Sequence, residues 1–242
     1  MRNELLLVVE LIVVYGGVLL WYVLFGVKGM QCFTVLATIA ANIEVLILVH
    51  AFGMEQTLGN ILFASTFLVT DILSELAGKK EADKAVNIGI LTSVSFMILA
   101  QLWLLYQPSE NDIVFGGIKL VFSNTPRLML VSLIVYVIVQ KFDVWMYHTW
   151  WKFTTQKYGD SKRFLWLRNN VSTLLSQLLN TVLFTFGAFT GIYDMPTMLD
   201  IMLVSYLIFI VTSLADTPVV YLARYIKERR DLRAASSNVT EQ

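Results

Sequence analysis

The chain has 242 residues, of which 57% are hydrophobic and only 15% charged, with a mean hydropathy of +0.66. Soluble domains carry about 25% charged residues, so the composition excludes an ordinary water-soluble fold and points to an integral membrane protein. Lys+Arg and Asp+Glu are equal at 18 each, which leaves no net charge to recruit nucleic acid or an acidic partner.

Cys32 is the single cysteine and reads as a packed thiol. His50 and His148 stand apart in the sequence, so neither a metal centre nor any other cofactor is expected.

Apolar runs of about 20 residues match the thickness of a bilayer core. Seven are expected, at residues 5–25, 31–50, 57–77, 84–106, 126–150, 164–189 and 197–225. The fold class is therefore an all-α integral membrane protein with about seven transmembrane helices, and residues 1–230 form one transmembrane domain. The first run is not a secretory signal, because its core is too long, Glu10 interrupts it and no small-x-small cleavage site follows. In the second, Thr34, Thr38 and Asn42 recur every four residues beside Ala37 and Ala41, the pattern of a close-packing face. Glu10 and Glu44 are carboxylates whose partners the sequence does not name.

The third run ends in TDILSELAGKK. Asp71 and Glu75 are four apart and share a helical face. A solvated helix end accounts for Glu75, whereas Asp71 lies deeper and wants a cation such as Arg127 or Arg168. Residues 113–122, IVFGGIKLVF, are apolar but too short to cross, which suits an interfacial segment or a lid.

The fifth run opens TPRLMLVS and then spaces Tyr136, Gln140, Asp143 and Tyr147 along one face. That face offers an aromatic surface, an amide and a carboxylate to a planar ligand. The alternative pairs Asp143 with Lys141 or Lys152 at the membrane boundary. The sixth run holds WLRNNVSTLLSQLLNT, with Arg168, Asn169, Asn170, Gln177 and Asn180 inside a would-be span. Helical spacing puts Asn169, Ser172, Thr173, Ser176 and Asn180 on one stripe, with Gln177 and Thr181 on its flank. Polar groups at that depth must face protein, a wet cavity or a ligand. Glue between helices is one reading and a binding site is the other. In the last run, Ser213, Asp216 and Thr217 precede Pro218, which frees backbone carbonyls for a polar kink. Residues 231–242 are rich in Ser, Asn and Ala and read as a flexible cytoplasmic tail.

The charges are unevenly spread over alternate connections. One side collects Lys28; Lys79, Lys80 and Lys84; Lys152, Lys157, Lys162 and Arg163; and Arg224, Lys227, Arg229, Arg230 and Arg233. The other has only Arg2, Lys119 and Arg127. By the positive-inside rule the amino terminus is outside and the carboxyl terminus cytoplasmic. No phosphate loop, nucleophile elbow or HExxH motif is present, and His148 has no convincing nucleophile beside it, so an enzyme is not expected. Trp21, Trp103, Trp145 to Trp151 and Trp166 read mostly as headgroup anchors.

Four blocks together carry a family resemblance: TDILSELAGKK; the Arg127 to Asp143 segment with Ser132, Tyr136 and Gln140; WLRNNVSTLLSQLLNT; and ADTPVVYL at residues 215–222. In this order they resemble the queuosine precursor transporter family, also called vitamin uptake transporters. The resemblance covers most of the chain from the third run onward. It implies a helical core similar to the substrate-binding components of energy-coupling-factor transporters. It also implies import of 7-deazaguanine bases (7-cyano-7-deazaguanine, 7-aminomethyl-7-deazaguanine or queuine) across the bacterial inner membrane, with no ATPase module; a homodimer is the assembly envisaged, though neither the resemblance nor the residue pattern determines the oligomeric state. The alternative is a substrate-binding component of an ATP-driven vitamin or nucleobase uptake system.

The substrate-binding residues implied are Asp71, Glu75, Arg127, Tyr136, Gln140, Asp143, Arg168, Asn169, Asn170, Gln177, Asn180 and Asp216. A deazaguanine offers N1–H and its 2-amino group as donors and O6 as acceptor, so carboxylates suit one edge and amides the other. The family usually has Asp at the position of Asn180, a departure that keeps a hydrogen-bonding group but removes a charge.

Overall fold

The computed structural model describes residues 2–123, 126–159 and 164–240. Lys162 and Arg163, counted above on the basic side, lie outside the described residues. Six described helices are long and apolar enough to cross a membrane: α1 (Arg2–Glu44), α2 (Gly59–Ala77), α3 (Lys79–Trp103), α5 (Pro126–Tyr158), α6 (Leu165–Phe189) and α7 (Met195–Thr240). A short helix, α4 (Phe115–Ser123), and a hairpin of β1 (Leu48–Ala51) with β2 (Met54–Thr57) complete the chain.

The first two expected runs both fall in α1, which is broken at Gly26 with φ 60° and ψ −139°. A residue with a Cβ rarely adopts that backbone conformation. Here it turns the helix back on itself. Asn3 donates from Nδ2 to the His50 carbonyl at 2.9 Å, the Trp21 ring lies 6.5 Å from that of Phe33, and the carboxyl groups of Glu10 and Glu44 face each other across the two arms. Glu10 and Glu44 are therefore neighbours.

The second run stops at Glu44 rather than His50. His50 belongs to β1, opposite Glu55, and the Phe52-Gly53 turn has φ 54° and 77°. Two successive positive φ values match the twist of a tight hairpin. An apolar strand next to an apolar helix has no compositional boundary, which is why the run looked continuous.

α2 occupies the centre, packed by both arms of α1 and by α3, α5 and α7. Gly78 alone separates it from α3. α3 starts at Lys79, five residues before the apolar run, because KKEADKA is made largely of good helix formers. α4 buries Phe122 against Phe96 and Trp103 of α3 and exposes most of its other residues. α7 continues to Thr240. The stretch from residue 231 expected as a tail carries that helix on through Leu232, Arg233 and two alanines, which are good helix formers.

The bundle is apolar on its outer surface and keeps its polar side chains inside, beside an apolar core around α2. On α6, Arg168, Asn169, Ser172, Ser176 and Gln177 are fully buried, while Trp166, Leu175, Leu178 and Phe186 are exposed. The outer arm of α1 exposes Leu5, Leu6, Ile12, Val13, Leu20 and Leu24. In water this arrangement would forfeit the hydrophobic effect; in lipid it satisfies it. The chain is a multi-pass membrane protein.

One end of the bundle gathers the α1 reversal, the α2–α3 turn and the late turns of α7. There Lys227 donates to the Leu76 carbonyl at 2.5 Å, and Arg230 donates to the Val23 carbonyl and lies over the Tyr22 ring. The opposite end gathers the amino terminus, the β-hairpin and the α6–α7 connection.

Candidate functional site

A cavity of about 720 Å³ opens between the helices at the β-hairpin end. Its walls come from the second arm of α1 (Thr38, Asn42), α2 (Asn60, Phe63, Thr66), α3 (Ser93), α5 (Ser132, Tyr136), α6 (Asn180, Thr181, Thr185) and α7 (Asp200, Ser205, Phe209). Phe63 stands between two other aromatic walls, 6.1 Å from the Tyr136 ring and 6.2 Å from that of Phe209. Such a set of faces and edges suits a flat ring system. The volume is within the range of small-molecule sites.

Below the cavity floor lies a buried polar layer. Gln140 donates from Nε2 to the Thr66 hydroxyl at 2.6 Å, and Asn180 donates to Gln177 Oε1 at 3.5 Å, so two floor residues tie the cavity to this layer. Farther in, the Ser176 hydroxyl reaches Asp143 Oδ1 at 2.9 Å and the Thr173 hydroxyl donates to Asp71 Oδ2 at 3.1 Å. The remaining atoms, Asp71 Oδ1, Asp143 Oδ2, Gln140 Oε1, Gln177 Nε2 and both amide atoms of Asn169, are buried with no partner among the described residues. Buried polar atoms normally have one, so this concentration of unused acceptors and donors is itself a functional signal.

Past that layer an ion-pair cluster closes the basic end. Arg168 Nη2 lies 2.5 Å from Glu75 Oε2, the Tyr147 hydroxyl donates to the same oxygen at 2.9 Å, and Arg224 Nη1 is 3.4 Å from Glu75 Oε1. The Arg168 guanidinium also stacks 4.3 Å from the Trp151 ring centre. Four helices, α2, α5, α6 and α7, meet at this one carboxylate. From Asn180 to Arg168, α6 descends about 18 Å at 1.5 Å per residue, so cavity, polar layer and ion-pair cluster are stacked along one helix.

Tyr136 and Asn180 are thus in the cavity, and Asp71, Gln140, Asp143, Asn169 and Gln177 in the polar layer. Glu75 and Arg168 meet in the closing cluster, so Arg168 is the partner of Glu75 and not of Asp71. Glu75 is a paired buried carboxylate, not a solvated helix end. Asp143 faces Ser176 and not Lys141 or Lys152.

Two expected site residues fall elsewhere, and a third, Asp216, borders the polar layer. Arg127 donates to the carbonyls of Gly187 (3.0 Å) and Thr190 (2.9 Å), satisfying the last turn of α6 at the opposite end. Asn170 donates to the Thr217 hydroxyl at 2.6 Å and accepts from Ser213 at 3.3 Å, tying α6 to α7. Asp216 is buried beside the Tyr15 hydroxyl of α1, within electrostatic reach of Asp71 and Asp143, and both its carboxylate oxygens lack a partner among the described residues.

Sequence reasoning missed Phe63, Phe209, Trp151 and Arg224. Trp151 reads as a headgroup anchor and Arg224 as part of a basic tail, and only their neighbours in space show otherwise. The wall residues Thr38 and Asn42 are visible in the sequence as a packing face, with no sign that the face borders a cavity.

Residues 57–223 match the model of the family described as "Putative vitamin uptake transporter". A curated relative from Bacillus subtilis (strain 168), "Probable queuosine precursor transporter", is 38% identical over 207 residues, covering 86% of this chain and 88% of its own length. No solved structure matches. The matched segment takes in the polar layer, the Glu75–Arg168 pair and the cavity walls from α2, α3, α5, α6 and α7, and the chain belongs to the vitamin uptake transporter family, a family of transporters and not of enzymes.

Proposed function

We propose that this protein imports a queuosine precursor, a 7-deazaguanine base, through the axis defined by the cavity and the polar layer. The observation that carries the proposal is the junction of an aromatic-walled cavity with buried carboxylate and amide atoms whose hydrogen-bonding capacity is unused. The ring enters the slot of Phe63, Tyr136 and Phe209. As it passes below the floor, its N1–H and 2-amino donors meet the Asp143 and Asp71 carboxylates and O6 accepts from the amide of Gln177 or Asn169. The name of the Bacillus subtilis relative supports this substrate class.

In this reading the two arms of α1 each cross the bilayer, giving seven crossings, with the cavity facing outward and the basic end in the cytoplasm, as the positive-inside rule requires. The membrane is the bacterial inner membrane. The structure then corresponds to an outward-open state, sealed on the inner side by Glu75, Arg168, Tyr147 and Arg224. Exchange of that seal for an outer one is alternating access. The protein works without an ATPase module. Ala37, on the close-packing face of the second arm of α1, is fully buried inside the bundle and so is not free to dock such a module.

Binding of 7-cyano-7-deazaguanine, its aminomethyl counterpart, queuine and guanine to the detergent-purified protein tests the proposal, with saturable binding of at least one deazaguanine as the expected result. Failure to bind any of the four removes it. Uptake by the purified protein in liposomes without an ATPase then separates an autonomous carrier from a component of an ATP-driven system.

A further inference from the structure

Gly89 lies on α3, is buried, and belongs to none of the polar stripes. A Cβ built on it would lie 2.1 Å from the Tyr136 hydroxyl oxygen, 2.9 Å from Cζ and 3.2 Å from Cε1. Real Cβ atoms do not approach other atoms at 2.1 Å, so the tip of the Tyr136 side chain occupies a notch that exists only because residue 89 lacks a side chain. Tyr136 is also a cavity wall and an edge-to-face neighbour of Phe63. One helical turn farther along α3, Ser93 lines the same cavity. A small residue at both positions lets the phenol lie back against α3.

We infer that Gly89 is a specificity-determining positioning residue: by seating the Tyr136 hydroxyl against α3, it sets the width of the slot that accepts the planar base. The inference rests on the substrate reading above and deepens it. Any side chain at 89 displaces the phenol. α3 behind it is a helix backbone and cannot yield, so the ring moves toward Phe63 and the cavity. A narrowed slot admits a planar bicyclic ring less readily, while the transport path and the Glu75–Arg168 seal are untouched.

The test is a double-mutant cycle with Gly89→Ala, Tyr136→Phe and both together, read by equilibrium binding of the deazaguanine that the wild type binds best and by thermal unfolding of each purified variant. Gly89→Ala is expected to weaken binding about tenfold, the scale of a modest overpacking penalty. Tyr136→Phe removes the atom that would lie 2.1 Å away and leaves only the milder approach of Cζ at 2.9 Å, so in that background the alanine shifts the ring less and weakens binding by no more than about threefold. A Gly89→Ala protein that folds and binds like the wild type overturns the inference and leaves the substrate reading standing. An equal loss in both backgrounds also overturns it, because the effect would not pass through the hydroxyl. Should Gly89→Ala alone fail to fold, Tyr136→Phe and the double variant still carry the comparison, and a difference beyond about threefold between them counts against it. No binding of any deazaguanine by the wild type overturns the substrate reading and this inference together.

Discussion

At the scale of single residues, the buried amides and carboxylates of α6 and its neighbours divide into those already engaged and those with capacity left over. Asn170 has both ends engaged, by Thr217 and Ser213, whereas Gln177 has a spare amide hydrogen pair and Asp143 a spare oxygen. Gln177→Ala and Asp143→Asn are therefore expected to weaken base binding about 10- to 100-fold, the range for a hydrogen bond to a charged or buried group. Asn170→Ala is expected to leave the dissociation constant within about threefold and to lower thermal stability by about 1 kcal/mol, as for an interhelical hydrogen bond in a membrane protein. Binding isotherms and unfolding curves on the three variants check this; loss of binding in Asn170→Ala with stability intact would move that residue back into the site. That such residues matter is legible in the sequence, because an amide inside a span needs a reason. Which partner each takes is not. Glu75 lies one turn closer to the basic end than Asp71, and Arg168 opens an antiparallel helix at that end, so the arginine meets Glu75 while Thr173, a turn or so on, meets Asp71. That level is set by how two helices dock, not by spacing along either one.

At the scale of elements, hydropathy alone places every long helix, because in lipid length and apolarity are the constraint. It fails where two apolar elements adjoin. The α1 reversal and the β-hairpin are both written in backbone conformation, through Gly26 and the Phe52-Gly53 turn, and not in a change of composition. Gly26 accordingly supplies a prediction. With φ 60° and ψ −139° and no atom within 4 Å of a Cβ built there, an alanine at that position meets no steric obstacle and pays only in backbone conformation. Gly26→Ala should cost about 1–3 kcal/mol and lower the unfolding midpoint. Gly16→Ala, inside the first arm with equally open surroundings, should be neutral or mildly stabilising, since alanine is the better helix former. Equal effects of the two substitutions in a detergent thermal melt would show that the reversal is held by arm packing and not by the glycine.

At the scale of the whole molecule, the cavity opens at one end and four helices converge on the Glu75 carboxylate at the other, so the two ends have unequal access to the polar layer. Breaking a buried ion pair by removing one charge costs about 3–5 kcal/mol. If half of that is specific to the sealed state, the population open at the basic end rises at least about tenfold. Site-directed thiol labelling reads this directly, once the exposed Cys32 has been replaced by serine. Ser132→Cys lines the cavity and should react with a membrane-impermeant reagent added on the side of the amino terminus. Ser74→Cys, buried next to Glu75 in the chain, should react from neither side. Adding Glu75→Gln to Ser74→Cys leaves Arg168 and Arg224 without their shared carboxylate, and labelling should then appear from the basic side, about tenfold faster than in the parent. Reaction of Ser132→Cys from the basic side only would reverse the orientation. Labelling of Ser74→Cys that is indifferent to Glu75→Gln would show that the ion-pair cluster is structural glue, and the inner seal would have to be sought in the packed core around α2.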